Sequence, residues 1–207
     1  LAEAADLYER LPGTTLRRGE CRLFLGLHEA LRSRPDRGRV LLEEAVELLE
    51  AAGDTRQVSK AFRWLAHCAW REGDEDRARS DAARAEGLAR ATTDHPALAG
   101  ALIEQAFVEG TWGSLADAAS KLIEAIGLIP GDDLIDICQV LTPTTWCAFE
   151  SGELQLAADI VAFIGQAYDD AGWLPVSGVA AIARIQDALP DPGEWSPDVI
   201  ERAMAFL

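Results

Sequence analysis

The sequence predicts an all-α protein, a right-handed α–α superhelix of about four helix-turn-helix units with partial units at both ends. Three observations carry this prediction. Four stretches of the 207-residue chain align at a constant spacing. Gly26, Ala66, Ala106 and Thr145 follow one another at steps of 40, 40 and 39, and so do Gly38, Ala78, Ala118 and Ala157, and Ala45, Ala85, Ala125 and Ile164. Ten of these twelve residues are Gly or Ala. A small residue at the same point of every unit marks a place where two helices approach closely, and a period of this length with helical patterning indicates a stacked solenoid. The composition agrees: 49% of residues are hydrophobic, with Ala, Leu, Glu and Arg dominant, which favours helix throughout. Helix-breaking clusters recur between the aligned stretches.

The first unit reads as a helix over 15–33, a turn at Arg34-Pro35-Asp36 and a second helix over 37–52. In the second, Phe62, Leu65, Ala66 and Ala69 form an i, i+3, i+4, i+7 stripe on a helix over 54–72. Gly73-Asp74 then suits a left-handed cap followed by an N-cap. The next helix runs to 91 with Ala78, Ala82, Ala85 and Ala89 on one side, and Pro96 suits the first turn of the helix after it. The third unit reads as helices over 96–111 and 115–129 around Trp112-Gly113-Ser114, closed by Pro130-Gly131-Asp132. The fourth has helices over 133–150 and 154–171 around Ser151-Gly152-Glu153. Pro143 lies inside the former and is expected to kink it or delay its start. Both ends are out of phase. Residues 1–11 read as a second helix without its first, and 174–189 as a first helix. A long Pro-rich connection over 190–197 follows, and Ser196 is placed to cap a last helix over 197–207.

The formal net charge is −16. Such a field repels phosphate backbones, so direct nucleic-acid binding by this segment is not expected. No run of 18 apolar residues suggests a membrane span, and no secretory leader opens the chain. The expected location is cytoplasmic. The chain starts at Leu1 without a methionine and carries internal-looking pieces at its ends. It is therefore expected to be one domain, 1–207, of a larger multidomain protein. Cys21, Cys68, Cys138 and Cys147 form no CxxC pair and have no His at zinc-finger spacing, so buried free thiols are expected rather than a metal site.

The repeat resembles the tetratricopeptide family from about residue 15 to 172. Leu25-Gly26, Leu65-Ala66 and Gln105-Ala106 occupy the family's Leu-Gly/Ala pair on the first helix. Gly73, Gly113 and Gly152 occupy the turn, and the alanines of the second helices occupy its small positions. The period exceeds the usual 34, Ser33 stands at one turn position, and Gln105 replaces Leu. Long units of this kind look like the superhelical sensor segments of large bacterial transcription regulators, the MalT-like and large ATP-binding LuxR-type activators. The resemblance implies a non-enzymatic sensor or protein-interaction segment, or alternatively a free-standing adaptor for a peptide. Self-association is a further possibility it leaves open.

No Walker loop, GxGxxG, HExxH or nucleophile elbow is present, so no catalytic residue, metal or cofactor is expected. The resemblance implies that first helices line a concave groove. The residue after the Leu-Gly/Ala pair then points toward it, in the series Leu27, His67, Phe107 and Trp146. One turn on lie Trp70 and Phe149, and one turn back lies Arg63; Lys60 and Arg71 add charge. Lys60, Arg63, His67, Trp70, Arg71, Phe107, Trp146 and Phe149 are therefore the candidate site for a protein, peptide or small-molecule effector. Aromatic walls supply area, Arg fixes an anionic group, and His67 adds a group whose type titrates near neutrality. The same spacing is equally that of ordinary inter-helix packing.

Overall fold

A computed structural model describes residues 14–32, 34–129, 134–170, 185, 188–193, 196 and 198–207. Among them, nine α-helices account for the regular structure. They are α1 (Thr15–Leu31), α2 (Pro35–Ala51), α3 (Thr55–Glu72), α4 (Glu75–Thr92), α5 (His95–Trp112), α6 (Leu115–Ile126), α7 (Leu134–Glu150), α8 (Leu154–Asp170) and α9 (Asp198–Phe206). The side chains of residues 134–136 are not described. The helix expected over 1–11, all but residues 185, 188 and 189 of the one expected over 174–189, and the breaker at 130–132 lie outside the described residues.

The caps explain the period. Thr14, Arg34, Asp54, Asp74, Asp94 and Ser114 precede the first six helices at a constant step of 20, so the forty-residue unit is two such steps. At the last four the side chain accepts a backbone N–H of the first turn: Gln57 to Asp54, 3.0 Å; Arg77 to Asp74, 3.1 Å; Ala97 to Asp94, 2.9 Å; Asp117 to Ser114, 3.0 Å. These bonds satisfy donors that the helix itself leaves orphaned. At the C-terminal ends, Gly53, Gly73 and Gly152 adopt positive φ, the left-handed conformation in which glycine meets no Cβ penalty.

The chain forms two compact units, 1–104 and 105–207. In the first, α1 and α2 pack as an antiparallel pair in which Gly26 faces Gly38. A Cβ on Gly38 would lie 3.0 Å from the Ala30 nitrogen and 3.0 Å from the Gly26 carbonyl oxygen. α3 and α4 pair likewise, and the Ser59 hydroxyl donates to the Ala85 carbonyl at 2.9 Å. Between pairs, like helices run parallel. On α4, Arg77 meets Glu43 of α2 and Arg84 meets Glu50, 2.9 Å apart, both 34 residues back. The core of this unit joins Leu23, Leu42, Leu49, Phe62, Leu65 and Ala85.

In the second unit α7 and α8 form the main pair, with α6 against α7 and α9 against α8. Its core includes Cys138, Leu141, Ile160, Phe163, Ile164 and Ala203. Asp159 of α8 anchors the chain that follows. It accepts from the Gly193 backbone N–H at 2.8 Å, from Gln155 at 3.0 Å and from Arg202 of α9 at 2.9 Å.

All twelve aligned residues are buried: Gly26, Gly38 and Ala45; Ala66, Ala78 and Ala85; Ala106, Ala118 and Ala125; Thr145, Ala157 and Ile164. Three bounds differ from expectation: α2 starts at Pro35 rather than 37, α6 is shorter, and Pro143 does not delay the start of α7. α6 ends at Ile126 rather than 129, because from Gly127 the backbone tightens to i→i−3 bonds, Leu128 to Ala125 and Ile129 to Ile126. Helix is assigned continuously through Pro143, whose side chain is fully buried. Around it the hydroxyls of Thr142, Thr144 and Thr145 donate to the carbonyls of Cys138, Val140 and Leu141 at 2.8, 2.8 and 2.9 Å. The hydroxyls are thus satisfied inside the helix, in a pattern that accommodates a bend.

Candidate functional site

α3 carries five of the eight sequence-derived candidates, because its mixed composition puts charged and aromatic residues between the small ones. Its buried stripe (Phe62, Leu65, Ala66, Ala69) faces its neighbours. Lys60, Arg63 and Arg71 are half-buried. His67 and Trp70 are buried, at 3% and 2% exposure.

Trp64, Trp70 and Glu104 surround His67. Its ring stands edge-on to Trp64, with centroids 5.5 Å apart, and tilted against Trp70 at 5.6 Å. Its Nδ1 lies 3.1 Å from Oε1 of Glu104 on α5. Glu104 is itself 2% exposed. One turn away the Arg63 guanidinium lies 5.1 Å from the Trp64 ring centre, a cation–π arrangement. It occupies the space left beside Gly100 by the missing side chain. Arg63 with Gly100 and His67 with Glu104 are both 37 residues apart, so α3 and α5 run side by side in parallel within the first unit.

Phe107, Trp146 and Phe149 belong to the second unit. Phe107 is buried at 5% exposure. Trp146 and Phe149 are half-buried, with ring centroids 6.2 Å apart at 41°. The Trp146 ring edge and the Cys147 sulfur lie against Gly110, where a Cβ would stand 3.6 and 3.1 Å from them. The structure thus sets His67 against Trp64, Trp70 and Glu104 in one unit, with Arg63 over Trp64 beside it, and sets Trp146 beside Phe149 in the other.

Glu104 and Trp64 were not singled out from sequence. Glu104 had a readable signal: a single acidic residue within the apolar run Ala101-Leu102-Ile103-Glu104-Gln105-Ala106-Phe107-Val108. Buried carboxylates need a partner, and His67 is the one provided.

The site carries a hydrogen bond between His67 and Glu104 and positive charge at Lys60, Arg63 and Arg71. Burial pushes the Cys68 thiol up to about 12, reinforced by Glu72 and Glu104 and opposed by Arg39 and Arg71. It is therefore protonated at neutral pH. Burial likewise pushes Cys138 and Cys147 up to about 11. Among the described residues, no group of three or more His, Cys, Asp or Glu side chains is placed to hold a metal ion, and no helix is long and apolar enough to cross a membrane. No protein-family model matches the chain, and searches of the curated proteins and of the solved structures found no match.

Proposed function

We propose that this chain is a cytoplasmic, non-enzymatic sensor or protein-interaction segment of a larger bacterial transcription regulator, built as a tetratricopeptide-like superhelix that takes an anionic or aromatic partner. The observation that carries the reading is the clustering of Lys60, Arg63 and Arg71 on α3, in a chain whose net charge is −16. Arginines also line the neighbouring helix, Arg77, Arg79, Arg84 and Arg90; those of α3 differ in standing beside Trp64, His67 and Trp70, which offers a partner both ion pairing and aromatic area. The half-buried cations make the contacts, while His67, Trp70 and Glu104 form the packed bed that fixes their helix.

The regulatory step is a population shift. A partner that binds one superhelical pitch better than another moves the equilibrium toward it, and modules attached to the segment respond. The buried Gly/Ala positions favour this, since closely packed helix pairs move as units. The acidic field leaves contact with DNA to other modules.

A peptide-display selection against the 207-residue chain tests this reading. Enriched peptides should combine Asp or Glu with aromatic residues, and their binding should be lost by the folded triple variant Lys60→Ala, Arg63→Ala, Arg71→Ala. Equal binding by that variant, or no enrichment of acidic peptides, would overturn it.

A further inference from the structure

A concavity lies in the second unit and owes nothing to the α3 cations. Its volume is about 200 Å³. The floor is made by Val140 and Leu141 of α7, which are 3% and 2% exposed. Half-buried isoleucines from three places form the walls: Ile126 and Ile129 at the end of α6, Ile137 on α7 and Ile200 on α9. Met204, one turn beyond Ile200, stands at the mouth and is 38% exposed.

Two features make this a built site rather than loose packing. Ile137, Val140 and Leu141 are one helical face (i, i+3, i+4), as are Ile200 and Met204 (i, i+4), so two rigid elements present continuous aliphatic surfaces. Each element is also fixed from behind. Leu141 belongs to the core with Ile160 and Ile164, Val199 and Ala203 seat the adjoining side of α9 in the same core, and Arg202 is tied to Asp159 at 2.9 Å. The walls therefore cannot collapse inward without unseating α9.

Among the described residues, the lining contains no polar side chain. Water gains no partners there, and a charged ligand would lose its hydration without compensation. A dry aliphatic cavity of about 150 Å³ accepts benzene in another protein, and this one is larger. We propose that it binds a small uncharged hydrocarbon group, a single ring with a short alkyl tail. The ring sits on Val140 and Leu141, and the tail leads out past Met204, whose flexible thioether adapts to it.

The test uses the full 207-residue chain with isoleucine δ1 methyls labelled, titrated with n-butylbenzene and, as the charged counterpart, benzoate. The expected result is saturable ring-current shifts of Ile126, Ile129, Ile137 and Ile200 with n-butylbenzene, unmoved Ile103, and no response to benzoate. Ile200→Trp should fill the cavity and abolish the shifts. Met204→Phe, at the exposed mouth and so tolerated by the fold, should narrow the entrance and weaken them. No saturable shift up to the solubility limit would overturn the proposal, as would undiminished binding in both variants. Dilution-dependent shifts of the same methyls without probe would also overturn it, since a second copy of the chain would then occupy the cavity.

Discussion

His67 of α3 and Glu104 of α5 share a hydrogen bond, Nδ1 to Oε1 at 3.1 Å, with both side chains removed from solvent. The pair holds two parallel helices in register, and Trp64 and Trp70 flank the imidazole. Replacing His67 by Phe keeps the ring volume and leaves the Glu104 carboxyl without this partner. The variant should unfold more easily by about 1–3 kcal/mol, the usual penalty for an unsatisfied buried polar group. Adding Glu104→Leu should recover part of that loss. Urea denaturation of the wild type, both single variants and the double variant closes the cycle. Strictly additive losses would show that the two residues act independently.

The Gly26–Gly38 approach gives a prediction of opposite signs. Gly38→Ala places a methyl against the backbone of Ala30 and Gly26, which no rotamer change relieves. It should destabilise by about 1–3 kcal/mol despite the better helix propensity of alanine. Gly87, on the exposed side of α4, has nothing within 4 Å of where its Cβ would stand. Gly87→Ala should stabilise by about 0.4–1 kcal/mol. Thermal unfolding of the two variants measures both. A loss at Gly87 or a gain at Gly38 would refute the packing described for these helices.

The helices and their pairing were legible because small residues recur at fixed points and turn residues separate them. Ala66, Ala78, Ala118 and Ala157 are all buried where the repeat places them. The lateral register was not legible. The repeat makes Phe107 the equivalent of His67, forty residues on, yet the side chain that His67 meets is Glu104, thirty-seven on. Second helices are offset further, Glu43 meeting Arg77 and Glu50 meeting Arg84 at thirty-four. Repeat period counts residues along the chain, whereas neighbours across a stack depend on how far each helix slides along the next. That slide is set by side-chain interlock, such as Arg63 lying in the space beside Gly100. The Asp159 anchor was also invisible in sequence, since its partners Gly193 and Arg202 lie 34 and 43 residues downstream with no pattern linking them.

Asp159 makes the attachment of α9 dependent on pH. Burial alone would raise its pKa, but the Gly193 N–H, the Gln155 amide and the Arg202 guanidinium outweigh it and hold the carboxyl below its ordinary value. A depressed carboxylate stabilises the fold fully above the unfolded value, about 3.9. The contribution is then lost as pH falls through the lower folded value. Hydrogen exchange of α9 amides should therefore accelerate in the wild type as pH drops below about 4, after correction for intrinsic rates. In Asp159→Asn it should be fast already at neutral pH and show no such step. The same acid step in the variant would place the pH dependence elsewhere.

The claim on which everything else rests is that the forty-residue repeat marks points of helix–helix contact. Ala78 and Ala83 lie on the same helix, α4; Ala78 occupies a repeat position and is fully buried, while Ala83 is exposed. The most direct measurement is the unfolding free energy of Ala78→Leu beside that of Ala83→Leu. The repeat predicts a loss of about 1–3 kcal/mol for Ala78→Leu through overpacking, and a change within about 0.5 kcal/mol for Ala83→Leu. Equal stability of the two variants would contradict it.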